Sequence, residues 1–211
     1  FDKQLLPTYD VFDEWRHFVP GTPEQTPVSF TCDGKRIGVL ICEDIWRAED
    51  SATMRRYKTD PLDHVAAASC DLLAVLSAAP FVLGKRALHH ARLASIATQL
   101  GIPIAAVNQV GANDDVLFEG GSLALSHSGQ PLAVCASWAL DSITVDTDAD
   151  PIEPQKNTAL EADLFDALCT GVAGYCAKTG NAKVCVGLSG GIDSALVATI
   201  AAAALGPKNV T

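Results

Sequence analysis

Residues 182–205, AKVCVGLSGGIDSALVATIAAAAL, constrain the fold of this chain more than any other stretch. Val184, Cys185 and Val186 form a short apolar run with β-branched residues that reads as a buried parallel strand, punctuated by Gly187. Ser189, Gly190 and Gly191 supply a turn with almost no side chain. Ala195 to Leu205 is an alanine-rich helical run, stopped by Gly206 and Pro207. Strand, glycine turn and helix in that order expose unpaired N–H groups at a helix N-terminus, where the dipole adds attraction for an anion. The first expectation is therefore a phosphate site.

Spacing separates the motifs that use such a turn. A P-loop needs a lysine after its last glycine, and Ile192 follows Gly191. The G-x-G-x-x-G dinucleotide pattern also fails. Gly187-Leu188-Ser189-Gly190-Gly191 does match G-x-S-x-G, the nucleophile elbow of serine hydrolases. That reading stays open with Ser189 as nucleophile, although it gives Asp193 and Ser194 no role and requires an acid and a histidine later in the chain. Ser189 to Ser194 also resembles the SGGxDS loop of the ATP pyrophosphatases, which adenylate a carboxylate or carbonyl and release pyrophosphate. The resemblance implies that Gly187, Leu188, Ser189, Gly190, Gly191, Ile192, Asp193 and Ser194 cradle ATP and that Asp193 contacts Mg²⁺. The donor set suits this, since amides and hydroxyls bind phosphate oxygens and a carboxylate binds a hard cation.

Fifteen basic against twenty-five acidic residues give a formal charge of −10 with no basic run, which argues against a nucleic-acid partner. No apolar run reaches the roughly 18 residues of a membrane helix, so no membrane role is expected. Seven cysteines without C-x-x-C spacing read as reduced thiols of a cytoplasmic protein. The chain opens on Phe1 and closes on Thr211 just after an apolar residue that reads as a new strand, so it is expected to be a piece of a longer one.

The opening 21 residues are loop-rich, with Pro7, Pro20 and an aromatic cluster of Tyr9, Phe12, Trp15 and Phe18 that reads as a satellite core. Arg36 to Trp46, RIGVLICEDIW, places a buried strand before Cys42, with Glu43 and Asp44 directly after it. Two carboxylates beside a thiol raise its pKa, so a reactive Cys42 requires a cation from elsewhere, and Lys3 is the candidate. The pattern Lys3-x-x-Leu6-Pro7-x-Tyr9-x-x-Phe12-x-Glu14, followed by Cys42-Glu43-Asp44-Ile45-Trp46, resembles the nitrilase-type glutaminase domain of the glutamine-dependent NAD⁺ synthetases. That family joins such a domain to an SGGxDS synthetase domain in this order.

The resemblance carries several expectations. Lys3 and Cys42 fall on two members of a Glu-Lys-Cys triad whose glutamate lies upstream of Phe1. Tyr9 and Glu14 match glutamine-pocket positions, Glu14 as partner of the substrate ammonium. Ser77-Ala78-Ala79-Pro80 matches an S-x-S-P segment whose second serine contacts glutamine; Ala79 stands there, and Ser77 or a backbone group is the available substitute. Lys85 matches a basic residue of the same pocket, and Asn108-Gln109-Val110-Gly111 a turn near it.

The remaining elements are read from pattern. Asp60-Pro61 starts a helix, and Asp71 to Ala78 is a strand buried on both faces. A helix with Leu88, Ala91, Ser95 and Thr98, flanked by Leu93, Ala94, Ala97 and Leu100, ends at Gly101. A hairpin turns at Ser128-Gly129, and Ser142 to Asp146 is a further strand. Thr158 to Glu161 reads as a capping box opening a helix whose apolar stripe is Leu160, Leu164, Leu168, Val172 and Tyr175. Cys169 and Cys176 share a helix face as packing, and the adjacent His89 and His90 point different ways and do not suggest a metal site.

The fold expected is α/β: the C-terminal part of a nitrilase-like α-β-β-α sandwich over residues 1–145, a linker at 146–157, and over 158–211 the first βα unit of a Rossmann-like adenine nucleotide alpha hydrolase domain. The implied reaction uses glutamine, ATP and nicotinate adenine dinucleotide. Ammonia released at Cys42 passes through a tunnel to the adenylated dinucleotide, giving NAD⁺, AMP and pyrophosphate. The family also implies a homo-oligomer at full length, and the 211 residues alone are expected to be inactive. The rivals are a simple amide-cleaving carbon-nitrogen hydrolase and a serine hydrolase acting through Ser189.

Overall fold

The computed structural model describes residues 1–22, 24, 27–46, 57, 59–153 and 158–211. Asp33 and Gly34, both at positive φ, turn β1 (Ser29–Cys32) back onto β2 (Lys35–Ile41), the tight hairpin that Asp-Gly favours. β2 then runs parallel to β3 (Leu72–Ser77), and β3 parallel to β4 (Ile104–Asn108). Parallel neighbours need crossovers, which α2 (Pro61–Ala67) and α3 (Lys85–Leu100) provide; a single turn, α1 (Glu14–His17), precedes them in the opening segment. Asp60 caps α2 by accepting the Leu62 N–H at 3.0 Å, and Gly101 ends α3 at φ 67°. The expected hairpin, β7 (Leu123–Leu125) and β8 (Pro131–Val134), adds antiparallel to β4 and completes a six-stranded mixed sheet ordered β1-β2-β3-β4-β7-β8. β5 (Val110–Asn113) and β6 (Val116–Glu119) form a separate hairpin.

Both crossover helices lie on one side of this sheet. Leu62 and Val65 of α2 and Leu93, Ile96 and Ala97 of α3 pack on Leu40, Leu73, Val75 and Ile104. Each large aliphatic side chain among them contributes about 1.5–3 kcal/mol of burial. Gly38 makes the approach of α2 possible, because a Cβ there would lie 3.1 Å from both Cys70 Sγ and Val65 Cγ1. The stripe that α3 buries is thus Leu93, Ile96 and Ala97, while Leu88, Ala91, Ser95 and Thr98 face solvent. The opposite sheet face is open: Leu76 is 50% and Val107 58% exposed, so these strands bury one face rather than two among the described residues. One α layer and one β layer of the expected sandwich are thereby in place.

A long helix, α4 (Leu160–Thr179), packs on the β5–β6 hairpin. Gly171 meets Leu117, and Gly174 sits so close to Ala112 that a Cβ would come within 2.7 Å of its methyl. The buried side of α4 is therefore Asp163, Ala167 and Cys176, whereas Leu160, Leu164, Leu168 and Tyr175 are 42–68% exposed. The capping box is absent too: α4 starts with Ala159 at its cap position and no side-chain cap bond. Ser142 to Asp146 forms no strand; the segment is exposed apart from a half-buried Val145. Of the expected linker, residues 146–153 are irregular, with the Ile152 N–H on Pro131 O at 2.8 Å, and residues 154–157 lie outside the described residues.

α5 (Ile192–Leu205) packs against α4 and follows the glycine turn as expected. Val184 and Val186 run parallel to Val210 and Thr211, with Val184 N–H on Asn209 O at 2.9 Å and Thr211 N–H on Val184 O at 3.0 Å. This is a strand-helix-strand crossover. Its first strand is half-buried, with Cys185 exposed, rather than sealed.

Candidate active site

Cys42 sits where β2 ends and a single 3₁₀ turn, Cys42–Ile45, begins. Its φ is +48°, a left-handed value uncommon outside glycine and asparagine, and such strained positions cluster at functional sites. Asp44 holds the turn. Its buried carboxylate accepts the N–H groups of Gln4 at 2.9 Å, Leu5 at 2.8 Å and Ile41 at 3.0 Å. One side chain thereby staples the opening segment, which carries Lys3, to the strand end that carries Cys42. Burial pushes this carboxyl up to about 6 against the pull of those three donors.

Lys3 donates to both carboxylate oxygens of Glu14 at 2.7 Å. Lys3, Glu14 and Cys42 line one cavity of about 530 Å³, together with Ser77 and Ala78. Burial pushes the Cys42 thiol above its ordinary range, the Lys3 charge and the Ala78 N–H pull it back, and Glu43 and Glu14 push it further up. The resting thiol is thus protonated, and a nucleophilic role requires a proton acceptor. Lys3 shares the cavity of the thiol it is expected to serve. Glu14, expected to meet a substrate ammonium, is paired with Lys3.

Cys42 also forms the wall of a second cavity, of about 390 Å³, that brings together Tyr9, Ala79 and Lys85 with Trp46 and His89. Glu43 organises one side: its buried carboxylate accepts the Tyr9 hydroxyl and the Tyr57 hydroxyl, each at 2.8 Å. Burial and the Glu43 bond push Tyr9 well above the usual phenol range, so its proton stays. Phe12 stacks edge-on against Tyr9 at 5.6 Å, while Trp15 and Phe18 are more than half exposed, so the aromatic cluster divides. His89 packs on Trp46 and is pushed down to about 4 by burial, with His90 and Lys85 adding to it, so the ring is neutral at pH 7.

The Ala79 N–H is taken by Asn108 Oδ1 at 3.0 Å, and Ser77 faces the Lys3 cavity, where its buried Oγ has no hydrogen-bond partner among the described residues. Asn108 also donates to Gly120 O, so the end of β4 fixes the pocket loop. Lys85 opens α3. A cation beside the helix N-terminal dipole opposes that dipole, but together they make this end of the cavity attractive to a carboxylate.

The glycine turn forms a third locus. Gly190 adopts φ +85°, Ser189 and Ser194 hydroxyls lie 3.1 Å apart, and the Ser189 N–H donates to Ser194 Oγ at 3.2 Å. The loop from Gly187 to Asp193 is exposed, and α5 begins at Ile192 with no side-chain cap. Exposed amides, two hydroxyls and the exposed Asp193 carboxylate fit a phosphate chain with its hard cation. Ser189 is paired with a serine rather than with a base. Among the described residues no group of three or more His, Cys, Asp or Glu is placed to hold a metal; Mg²⁺ bound through phosphates needs only one or two carboxylates. No helix among them is long and apolar enough to cross a membrane.

Asp44 is a site residue that sequence reasoning misses: in the sequence it is visible only as a neighbour that would quench the thiol.

Comparison with known proteins gives a consistent picture. Residues 3–157 match the carbon-nitrogen hydrolase family and residues 164–211 the NAD synthase family. The chain is 38% identical over its whole length to a glutamine-dependent NAD(+) synthetase of Synechocystis sp., and spans 38% of that relative. It superposes with TM-score 0.86 and 32% identity on a glutamine-dependent NAD⁺ synthetase from Acinetobacter baumannii in complex with adenosine diphosphate, covering all of this chain and 38% of that one. A mutant amidase of Nesterenkonia sp. AN1, with the acetamide moiety of fluoroacetamide added covalently at its active-site cysteine, matches with TM-score 0.50 and 26% identity over 64% of this chain and 44% of its own.

Proposed function

This chain belongs to the carbon-nitrogen hydrolase family over residues 3–157 and continues into an NAD synthase segment, and on that premise we propose that it is part of a glutamine-dependent NAD⁺ synthetase, an enzyme that makes NAD⁺ with nitrogen from glutamine. The observation that carries the reading is Cys42, held at positive φ where two cavities meet, one with Lys3 and the other with Tyr9 and Lys85.

In this reading residues 1–145 are the glutaminase part, 146–157 the linker and 158–211 the beginning of the synthetase part. The Cys42 thiolate attacks the side-chain amide carbon of glutamine while Lys3, fixed by Glu14, holds the developing oxyanion. The thiol proton goes to the upstream glutamate that the resemblance implies and from there to the departing nitrogen. The C–N bond breaks, ammonia leaves, and water hydrolyses the remaining thioester to glutamate. Lys85 and the start of α3 receive the substrate α-carboxylate, and the Tyr9 hydroxyl, kept protonated by Glu43, lines the approach. Ala79 lacks the serine hydroxyl, so glutamine makes one contact fewer at that wall.

At the second locus, Gly187 to Ser194 cradles ATP, with Asp193 as the contact for Mg²⁺, which offsets phosphate charge when bound. ATP adenylates the carboxylate of nicotinate adenine dinucleotide and pyrophosphate leaves. Ammonia then displaces AMP and forms the amide of NAD⁺. The enzyme is read as cytoplasmic and oligomeric. Neither the amidase nor the serine hydrolase alternative is favoured, since neither uses the attached SGGxDS loop as an ATP site.

In a polypeptide of the relatives' full length carrying this sequence, Cys42→Ala lowers glutamate release from glutamine by at least about a thousandfold, as nucleophile removal does elsewhere. It leaves NAD⁺ formation from ammonium salts within about twofold. Unchanged glutamate release in the variant would overturn the reading.

A further inference from the structure

Arg86 lies in the first turn of α3, directly after Lys85, and two carboxylates from different parts of the chain converge on it. Its Nε donates to Glu119 Oε2 at the end of β6 at 2.7 Å, Nη2 forms an ion pair with the same oxygen at 2.6 Å, and Nη2 donates to Asp163 Oδ1 in the first turn of α4 at 2.6 Å. The same Asp163 oxygen accepts the Trp138 indole N–H at 2.8 Å. The cluster is largely dry: the side chains of Glu119 and Asp163 are 9% and 11% exposed. Burial works against the Arg86 charge, and the two carboxylates more than offset it.

Stability alone is a poor reason for this arrangement. Buried ion pairs seldom outperform well-packed apolar groups, and a cation in the first turn of a helix opposes the helix dipole. What the cluster does supply is a fixed distance between α3 and α4. The rest of the α4 contact surface on this side is the β5–β6 hairpin, through Gly171, Gly174 and the Lys178 ammonium on Asn113 Oδ1 at 2.7 Å. That hairpin in turn holds the pocket loop, since the Phe81 N–H donates to Leu117 O at 2.7 Å. A shift of α4 is therefore felt at the N-terminus of α3.

We propose that Arg86 is a positioning residue whose ion pair with Asp163 carries the seating of α4 to the first turn of α3, and so sets Lys85 in the glutamine pocket. This rests on the reading of the Cys42 cavity as a glutamine site and of α4 as part of the synthetase. Glutamine affinity then depends on the seating of a helix outside the glutaminase part.

The test is steady-state kinetics of the full-length polypeptide with Asp163→Asn, Arg86→Gln and the conservative Asp163→Glu. Asp163→Asn and Arg86→Gln raise the glutamine KM about tenfold with kcat for glutamate release within about twofold, while ammonium-dependent NAD⁺ formation is unchanged. Asp163→Glu recovers most of the affinity. A KM within twofold of the parent in both Asp163→Asn and Arg86→Gln overturns the proposal. So does loss of both activities together with a lowered Tm in all three variants, which assigns the cluster to stability. A parent polypeptide that forms NAD⁺ from ammonium salts but releases no glutamate from glutamine removes the glutamine reading itself, and the proposal with it.

Discussion

Asp44 shows how much of this site depends on one buried carboxylate. Its three backbone partners fix both the turn after Cys42 and the segment after Lys3, so the two groups meet only while Asp44 accepts all three bonds. Because burial raises its pKa from 3.8 to about 6, the carboxyl is more easily protonated in the fold than in the unfolded chain. A raised folded pKa contributes stability that is full below about 4 and is lost as pH rises through about 6. A displacement of that size is worth about 3 kcal/mol. Asp44→Asn removes this titration and leaves its NH₂ facing an N–H donor. The stability of the parent relative to the variant, read by urea denaturation, therefore falls by about 3 kcal/mol between pH 4 and pH 7, and glutamate release in the variant falls at least about tenfold as Lys3 is freed. A pH-independent difference would mean that the carboxylate is not buried as a charge.

At the level of elements, the β5–β6 hairpin and α4 behave as one packed unit whose closeness is set by glycines. Gly-to-Ala in a helix interior ordinarily gains about 0.5–1 kcal/mol. At Gly171 the added methyl would meet Leu117 at 3.4 Å, an ordinary contact, and that gain is expected. At Gly174 it would meet the Ala112 methyl at 2.7 Å, so Gly174→Ala forces the helix away and costs about 1–3 kcal/mol. Thermal melts of the two variants check this, and equal shifts would contradict the packing. The same closeness explains why periodicity points to the wrong face of α4. Helix-hairpin contact at this distance selects small residues, so Ala167, Gly171 and Gly174 carry no hydrophobic period, while the leucines that do carry one are exposed. The strand-turn-helix at 184–205 and the thiol at a strand end are legible because glycine spacing and the Cys-Glu-Asp run are local signals. Ser29 to Cys32 has mostly exposed side chains and is marked only by Asp33-Gly34. Ser142 to Asp146 alternates in sequence but finds no ladder partner among the described residues. The Arg86 cluster joins residues 33 and 77 positions apart, which no local pattern reveals.

For the whole molecule, a formal charge of −10 means that an anionic ligand must be met by local positive potential, which among the described residues the start of α3 with Lys85 and the start of α5 supply. They belong to segments matched by two different families, and α4 is the element that packs against both, on the hairpin at one side and on α5 at the other. In the proposed reading, nitrogen released at Cys42 has its consumer in the polypeptide that carries both segments. Ammonia in open water at neutral pH is mostly protonated and no longer nucleophilic, so the arrangement is useful only if transfer is faster than escape. Isotope tracing reads this directly: the full-length polypeptide is given ATP, nicotinate adenine dinucleotide, glutamine labelled with ¹⁵N at the amide, and an excess of unlabelled ammonium. Internal transfer predicts that most of the NAD⁺ formed carries ¹⁵N in its carboxamide and that the label disappears in Cys42→Ala. NAD⁺ labelled no more than the mixed ammonium pool would contradict the account.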